Sequence, residues 1–255
     1  VTSTDTPAEG STRARRLGRA SAHAATVAIV LGGAGFLIRS TWGPLQGAAD
    51  AIIGWATDLS RPREGLRSLL VLWQELTQPV NLYAVGALLC LWVWLAEGLR
   101  ARAGWAFGTM MGAWILRLLA KLVVQRARPV VEDPVSLAPG YSFPSGHALN
   151  SAAWATTVVI LLWPLVRPLA WRAVLVALAT LVVPATALDR VLLGVHYPSD
   201  VTVGVLTGVG LVLASYAGYR GWNPPAAARG DDPDLRPDRA AGDGPTASPP
   251  TAREA

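Results

Sequence analysis

Residues 147–166 read HALNSAAWATTVVILLWPLV, a run of twenty residues with no acidic or basic side chain after His147. About 20 mostly apolar residues form a helix long enough to cross the hydrocarbon core of a bilayer. Five further apolar stretches of similar length occur at residues 20–38, 78–96, 105–124, 169–188 and 199–219. The sequence therefore predicts an all-α protein built as a bundle of six transmembrane helices.

The composition of the whole chain agrees with this class. Of its 255 residues 52% are hydrophobic and only 15% are charged, whereas soluble domains carry about 25% charged residues. The basic residues, of which Lys121 is the only lysine, are scattered rather than gathered with aromatics into a stripe, which argues against nucleic-acid binding. The single cysteine, Cys90, excludes an internal disulfide.

The chain divides into three parts. Residues 1–19 form a basic N-terminal tail, residues 20–221 the membrane domain, and residues 222–255 a Pro-, Ala- and Asp-rich tail expected to be disordered because it has almost no large apolar side chain to bury. Residues 65–76 have leucines at helical spacing and predict an amphipathic helix on the outer surface. The first apolar stretch could instead be a cleaved signal peptide, but no small-x-small cleavage site follows it, so a retained helix is favoured.

The basic residues of two short loops predict the orientation. Arg100 and Arg102 follow the second stretch, and Arg167 and Arg172 follow the fourth. Short loops rich in arginine stay in the cytoplasm, which predicts cytoplasmic termini in a multi-pass plasma-membrane protein. In the last stretch, Gly204-x3-Gly208 predicts close helix packing within the bundle rather than between subunits. The oligomeric state is not predicted.

Ionisable residues at the ends of membrane helices indicate function because they are costly there. They form three groups in chain order, Lys121-x6-Arg128-Pro129, Pro144-Ser145-Gly146-His147 and Arg190-x5-His196-x3-Asp200. The chain makes two crossings between the second and third groups and none between the first and second. All three are therefore expected at the extracytoplasmic ends of helices 3, 4 and 6. Residues seven apart share a helix face, which predicts that Lys121 and Arg128 point the same way.

The chemistry of these groups predicts a phosphate site. Guanidinium forks and a lysine bind phosphate oxygens, and Ser145 and Gly146 stand where the free N–H groups of a helix N-terminus attract anions. His196 can be oriented by Asp200 four residues later and can take up a phosphoryl group, which divides one difficult step into two. His147 can protonate the leaving oxygen. Arg117 and Arg126 are interpreted as snorkelling residues or as part of the local positive field.

The three groups together resemble the signature motifs of the type 2 phosphatidic acid phosphatase superfamily, K-x6-R-P, P-S-G-H and S-R-x5-H-x3-D, in its membrane branch. The resemblance implies that His196 is the nucleophile, Asp200 its orienting carboxylate and His147 the general acid. It also implies phosphate-binding positions at Lys121, Arg128, Ser145, Gly146 and Arg190, with no metal and no cofactor. One position departs: Asp189 replaces the motif serine, and its carboxylate is expected to turn toward Arg190 and away from the phosphate.

Within this superfamily the sequence resembles bacterial undecaprenyl-diphosphatases and phosphatidylglycerophosphatases. This resemblance implies a lipid phosphate or diphosphate as substrate. Polyprenyl diphosphate, phosphatidic acid and phosphatidylglycerophosphate remain alternatives. The loop at residues 130–143, with Glu132 and Asp133, is expected to cover the headgroup. A transporter or binding protein for anions or lipid headgroups is the alternative function. A transporter predicts polar residues through the depth of the bundle, but the fourth and sixth stretches offer only Asn150, Ser151, Ser215 and a few threonines, with no charge at mid-membrane depth.

Overall fold

The computed structural model describes residues 7–39, 43–131, 136 and 138–221, and all regular secondary structure in these ranges is helical. The predicted disordered tail at residues 222–255, and Glu132 and Asp133 of the predicted covering loop, lie outside the described residues. The helices found in the described ranges are α1 Pro7–Arg39, α2 Gly43–Ser60, α3 Glu64–Leu76, α4 Pro79–Leu95, α5 Arg100–Val124, α6 Gly146–Leu162, α7 Leu169–Leu192 and α8 Pro198–Gly221.

Each of the six apolar stretches forms a helix, namely α1 and α4 to α8. The predicted amphipathic helix is confirmed as α3. Helix α2 was not anticipated, because its 18 residues are rich in alanine and glycine and contain no long apolar run. Its buried side chains, Ala49, Ile53 and Ala56, nevertheless follow helical spacing and pack against the last turns of α7.

Four helices in the described residues are long and apolar enough to cross a membrane: Leu17–Ile38, Arg100–Val124, Leu169–Leu192 and Pro198–Arg220. Helices α3 and α4, bent by 44° at their junction, together make a fifth candidate span. Helix α6 is apolar but has only 17 residues, about 26 Å of helix. The chain is thus a multi-pass membrane protein, and the count of six crossings stays a prediction.

Helix α6 is the centre of the bundle, with buried residues along its whole length. It lies against α8 at two glycines: a Cβ atom on Gly204 would lie 3.1 Å from the carbonyl oxygen of Ser145, and one on Gly208 would overlap the carbonyl oxygen of Leu149. The predicted packing of Gly204-x3-Gly208 within the bundle is confirmed. Because this contact admits no side chain, it fixes α6 and α8 relative to each other.

Helix α7 is buried only near its C-terminal end, at Thr186, Asp189, Arg190, Val191 and Leu192. The same end packs against α2 and α3, where the indole N–H of Trp73 donates to the hydroxyl of Thr186 at 3.2 Å. Helices α2 and α3 therefore cover the end of the bundle at which the motif residues of α5, α6 and α8 also lie.

Candidate active site

The first motif lies at the C-terminal end of α5. This helix ends at Val124 because Gln125 adopts a left-handed conformation with φ of 53°, and Pro129 disfavours helix at the residue before it. Arg128 is therefore in an extended segment, and the expectation that it shares a helix face with Lys121 is wrong. The two cations still meet, because the ammonium of Lys121 and Nη2 of Arg128 both donate to the carbonyl oxygen of Tyr141.

Arg128 joins the first motif to the third. Its Nη1 donates to the carbonyl oxygen of Val195 at 2.7 Å and lies 3.2 Å from Nε2 of His196. Its Nε and Nη2 donate to the carbonyl oxygens of Gly140 at 3.0 Å and Pro139 at 3.1 Å. The guanidinium is thus held between the segment before α6 and the loop before α8.

The second motif forms the N-terminus of α6. Ser145 caps the helix, with its hydroxyl accepting from the amide of Ala148 at 3.5 Å. The amide of Ser145 donates to the backbone carbonyl of Asp200 at 3.1 Å, which joins the second motif to the third. A Cβ atom on Gly146 would lie 3.0 Å from both Cδ and Nη1 of Arg117, so the glycine lets this arginine approach the helix end.

His147 occupies the first turn of α6 and is half-buried. Its Nε2 is buried without a hydrogen-bond partner among the residues that the structure describes. The charges of Arg190, Arg117 and Arg128 act on its ring, as does the ring of His196. A buried ring nitrogen that faces several cations and has no protein partner is suited to exchange a proton with a bound ligand.

His196 lies in the short loop between α7 and α8 and is 3% exposed. Burial lowers its pKa to about 4; the Asp200 carboxylate opposes this shift, and Arg128 adds to it. The ring is therefore neutral at pH 7. Because a guanidinium can only donate, the Nε2 facing Arg128 carries a lone pair, and the proton is on Nδ1. Nδ1 lies 3.7 Å from Oδ2 of Asp200, a charge contact longer than a hydrogen bond, and it has no hydrogen-bond partner among the described residues.

Asp200, in the first turn of α8, has both carboxylate oxygens occupied. Oδ1 accepts from Nη1 of Arg126 at 2.6 Å. Oδ2 accepts from the amide of Tyr197 at 3.0 Å and from the hydroxyl of Ser142. The interpretation of Arg126 as a snorkelling residue is wrong, since its guanidinium is buried in an ion pair with Asp200. Ser142 was not anticipated, although it stands two residues before the second motif.

Asp189 turns toward Arg190, as the sequence predicts. Its Oδ2 accepts from Nε of Arg190 at 2.8 Å and also from Nη2. The third nitrogen of the Arg190 guanidinium, Nη1, donates to the amide oxygen of Gln74 at 2.9 Å. The same oxygen also accepts from the hydroxyl of Ser136 at 3.0 Å. Gln74 belongs to α3, 116 residues away in sequence, and no sequence signal indicated it.

All eight sequence-predicted site residues thus lie at one end of the bundle. Direct contacts connect Arg128, His196, Asp200 and Ser145. Lys121 is linked to Arg128 through the carbonyl oxygen of Tyr141, and Gly146 and His147 follow in the first turn of α6. Arg190 is close enough for its charge to act on His147 and Arg128. Within the described ranges, no three His, Cys, Asp or Glu side chains are grouped as a metal site requires.

Comparison with protein families shows which family the chain belongs to. Residues 102–224 match the model of the PAP2 superfamily. The decaprenylphosphoryl-5-phosphoribose phosphatase of Mycolicibacterium smegmatis is 33% identical over 146 residues, which cover 55% of this chain and 69% of that protein. The chain belongs to the PAP2 superfamily.

Two further relatives carry related names. The decaprenylphosphoryl-5-phosphoribose phosphatase of Mycobacterium tuberculosis H37Rv is 39% identical over 113 residues, 42% of this chain. Phosphatidylglycerophosphatase B of Escherichia coli K12 is 44% identical over 78 residues, 30% of this chain. The matches span only 57% of the first protein and 28% of the second.

A solved structure shares the fold. The crystal structure of a transmembrane PAP2-type phosphatidylglycerolphosphate phosphatase from Bacillus subtilis superimposes with a TM-score of 0.64. The superposition covers 74% of this chain and 93% of that one, at 19% sequence identity. The helical membrane architecture is therefore that of a PAP2 membrane phosphatase.

Proposed function

We propose that this protein is an integral-membrane phosphatase that hydrolyses lipid phosphates through a phosphohistidine intermediate, without a metal. The observation that carries the proposal is the position of Nε2 of buried His196, 3.2 Å from a guanidinium nitrogen of Arg128. A nucleophile beside a cation is suited to attack an anionic phosphorus, because the cation binds the phosphoryl oxygens and stabilises the charge that develops on them.

In the first step, Nε2 of His196 attacks the phosphorus and forms an N–P bond. The bond from phosphorus to the lipid oxygen breaks. His147, which takes up a proton once the negative phosphate offsets the surrounding arginine charges, donates that proton to the leaving oxygen. The charge that develops on His196 is stabilised through Nδ1–H by Asp200. Lys121, Arg128 and Arg190 bind the phosphoryl oxygens, together with the N-terminal amides of α6. Their positive charges do the work that a metal ion performs in other phosphatases.

In the second step, a water molecule attacks the phosphorus from the side that the lipid alcohol has left. His147, now unprotonated, accepts the proton of this water as the O–P bond forms and the N–P bond breaks. Inorganic phosphate leaves, and both histidines return to their starting protonation states. Proton transfer by a positioned histidine contributes about 10²- to 10⁴-fold in rate.

A groove beside the site supports a lipid as the substrate. It has a volume of about 670 Å³ and is lined only by apolar residues of α1, α5 and α8. It extends along α1 from Gly35 and Phe36 to Ala24, about 18 Å of helix. At one end it reaches Val123 and Val124, which are two and three residues after Lys121. A chain lying in this groove would place its headgroup at the cations.

The names of the relatives favour a lipid-linked phosphomonoester of a polyol. One group acts on decaprenylphosphoryl-5-phosphoribose, and another is named for phosphatidylglycerophosphate. Polyprenyl diphosphate and phosphatidic acid remain within the same substrate class. With cytoplasmic termini, the site would face the extracytoplasmic side of the plasma membrane, where the headgroup of an exported lipid is accessible.

The test is phosphate release by the purified full chain in detergent with EDTA. The four lipids above are assayed in parallel with a short-chain, water-soluble phosphomonoester. We expect release from lipid substrates, no release by His196→Ala, and much weaker release from the short-chain compound. Rapid quenching with ³²P-labelled substrate should trap an acid-labile, alkali-stable phosphoprotein. Binding of the lipids without release by a folded wild-type protein would instead establish headgroup binding or transport.

A further inference from the structure

Arg126 lies outside the three motifs, yet its guanidinium is buried at the centre of the site. It stacks on the ring of Tyr197, with 3.9 Å between Cζ and the ring centroid. Its hydrogen bonds extend to three side chains: Nη1 donates to Asp200 at 2.6 Å and to Ser199 at 2.8 Å, and Nη2 donates to Gln46 at 3.1 Å.

The carboxylate of Asp200 depends on this arginine for its charge balance. It is fully buried, and a buried carboxylate is stable only when a cation or several hydrogen bonds compensate it. The other nearby cations, Lys121 and Arg128, donate to the backbone carbonyls of residues 139–141 and 195. His196 is neutral. Arg126 is therefore the cation in direct contact with Asp200.

The contact also fixes which oxygen faces the nucleophile. Arg126 occupies Oδ1, whereas Oδ2 is the oxygen that lies 3.7 Å from Nδ1 of His196. Because the same guanidinium holds Ser199 and the ring of Tyr197, it sets the conformation of the turn between His196 and Asp200. The nucleophile and its carboxylate are both in this turn.

We propose that Arg126 is a positioning residue for the reaction, holding the Asp200 carboxylate ionised and turned so that it orients Nδ1–H of His196. The proposal rests on the proposed function. Arg126 acts through Asp200 and does not bind the phosphate, since both of its terminal nitrogens donate to protein side chains. The charged and titratable groups facing the His196–Asp200 pair are Lys121, Arg126, Arg128 and His147.

The first test is a double-mutant cycle with Arg126→Met, Asp200→Asn and the double variant. We expect Arg126→Met to lower kcat about 10- to 100-fold, the usual effect of removing a group that orients a catalytic ligand, with KM changed less than threefold. If Arg126 acts through Asp200, the double variant is no slower than Asp200→Asn alone. The double variant also leaves no buried charge unpaired, so it tests the proposal even where Arg126→Met fails to fold.

The pH dependence distinguishes positioning from a merely structural role. Loss of the Arg126 cation leaves the Asp200 carboxylate uncompensated, which stabilises protonated His196. The acidic limb of kcat/KM therefore moves to higher pH in Arg126→Met. Arg126→Lys keeps a cation at this position, so it should restore part of the rate and return the acidic limb part of the way to its wild-type pH. Arg172 provides the matched control: it stacks on Trp163 at 4.8 Å and donates to the carbonyl of Val166 at 2.6 Å at the opposite end of α7. Arg172→Met should leave the rate and the pH profile unchanged.

The proposal would be overturned if the kcat losses of the two single variants multiplied in the double variant, or if Arg126→Met raised KM and left kcat unchanged. Either result would show that Arg126 acts independently of Asp200. A readout without substrate separates this outcome from failure of the proposed function. In ¹⁵N-histidine NMR titrations without substrate, His196 should become protonated at higher pH in Arg126→Met than in the wild type, because the Asp200 carboxylate has lost its cation. An unchanged titration of His196 in Arg126→Met would also overturn the proposal, whether or not the wild type releases phosphate.

Discussion

The carboxylate of Asp189 changes what Arg190 can offer a substrate. A guanidinium has five N–H groups; two of those of Arg190 donate to Asp189 and one donates to Gln74, which leaves two for a phosphate. The carboxylate also cancels part of the positive charge. The proposed phosphate site is therefore less cationic than it would be with serine at position 189.

We expect Asp189→Ser to strengthen phosphate binding by about 1 kcal/mol, roughly a fivefold lower KM or inhibition constant for inorganic phosphate. The gain should be larger for a diphosphate than for a monophosphate, because the former carries more negative charge. Asp189→Asn is the matched control, since it removes the charge and keeps the shape. If only the serine variant gained affinity, the effect would come from the hydroxyl rather than from charge.

The pKa of His196, lowered to about 4 by burial, sets the acidic limit of the reaction. Attack requires the unprotonated ring, so kcat/KM should fall only as the pH drops through about 4. Asp200→Asn removes the carboxylate that raises the pKa of His196. In this variant the acidic limb of kcat/KM should move to lower pH, and kcat should fall about 10²- to 10⁴-fold. Both proteins are compared on one substrate, because a phosphomonoester itself titrates near pH 6. An acidic limb of kcat/KM at pH 6.5 that is unchanged in Asp200→Asn would show that a group other than His196 titrates there.

At the scale of the element, α2 and α3 each contribute one glutamine to the site. Gln46 accepts from Arg126, and Gln74 accepts from Arg190, and each of these arginines is also paired with an aspartate. These two short helices therefore do more than cover the bundle, because they fix the side chains of both buried ion pairs.

Replacing Gln74 with leucine of similar size should lower kcat/KM about tenfold, because a hydrogen bond to a charged group contributes about 1.5–3 kcal/mol. Gln78→Leu is the control: Gln78 lies two residues beyond the end of α3, and its amide donates to Glu75 at the surface. Kinetics of both variants on one lipid substrate make the measurement. Equal effects would show that α3 responds to any such change rather than through Arg190.

The contact between α6 and α8 should tolerate no side chain at Gly208. Gly208→Val places its Cβ against the carbonyl oxygen of Leu149, and overpacking of this kind costs about 1–3 kcal/mol. Thermal unfolding in detergent should show a lower Tm, with loss of activity. Gly112 in α5 has open space where a Cβ would lie, so Gly112→Ala should keep or slightly raise the Tm. A Tm unchanged by Gly208→Val would contradict the close approach of the two helices.

Much of this architecture could be predicted from the sequence, because the length of an apolar run and the spacing of a motif are local properties. They predicted α1 and α4 to α8, the turn of Asp189 toward Arg190 and the clustering of the eight site residues. The contacts of Arg126 with Asp200 and of Gln74 with Arg190 join residues 74 and 116 positions apart. Only tertiary packing brings such pairs together, and neither Arg126 nor Gln74 belongs to a motif.

At the scale of the whole molecule, the orientation in the membrane is directly testable. In a Cys90→Ala background, single cysteines are placed at Glu97 between α4 and α5 and at Pro62 between α2 and α3, both of which are exposed. With cytoplasmic termini, a membrane-impermeant maleimide added to intact cells should label Pro62→Cys and leave Glu97→Cys unlabelled until the cells are opened. The reverse pattern would place the site in the cytoplasm.

The hydrogen bonds of Lys121 and Arg128 to residues 139–141 have a further consequence. The carbonyl oxygens of this segment present negative dipoles to the cations that would bind phosphate. A bound phosphate must therefore compete with these carbonyls for the N–H groups of Lys121 and Arg128. Any affinity measured for an anion is then the difference between two sets of hydrogen bonds. After hydrolysis the same competition favours turnover, because the carbonyls return to the cations as inorganic phosphate departs.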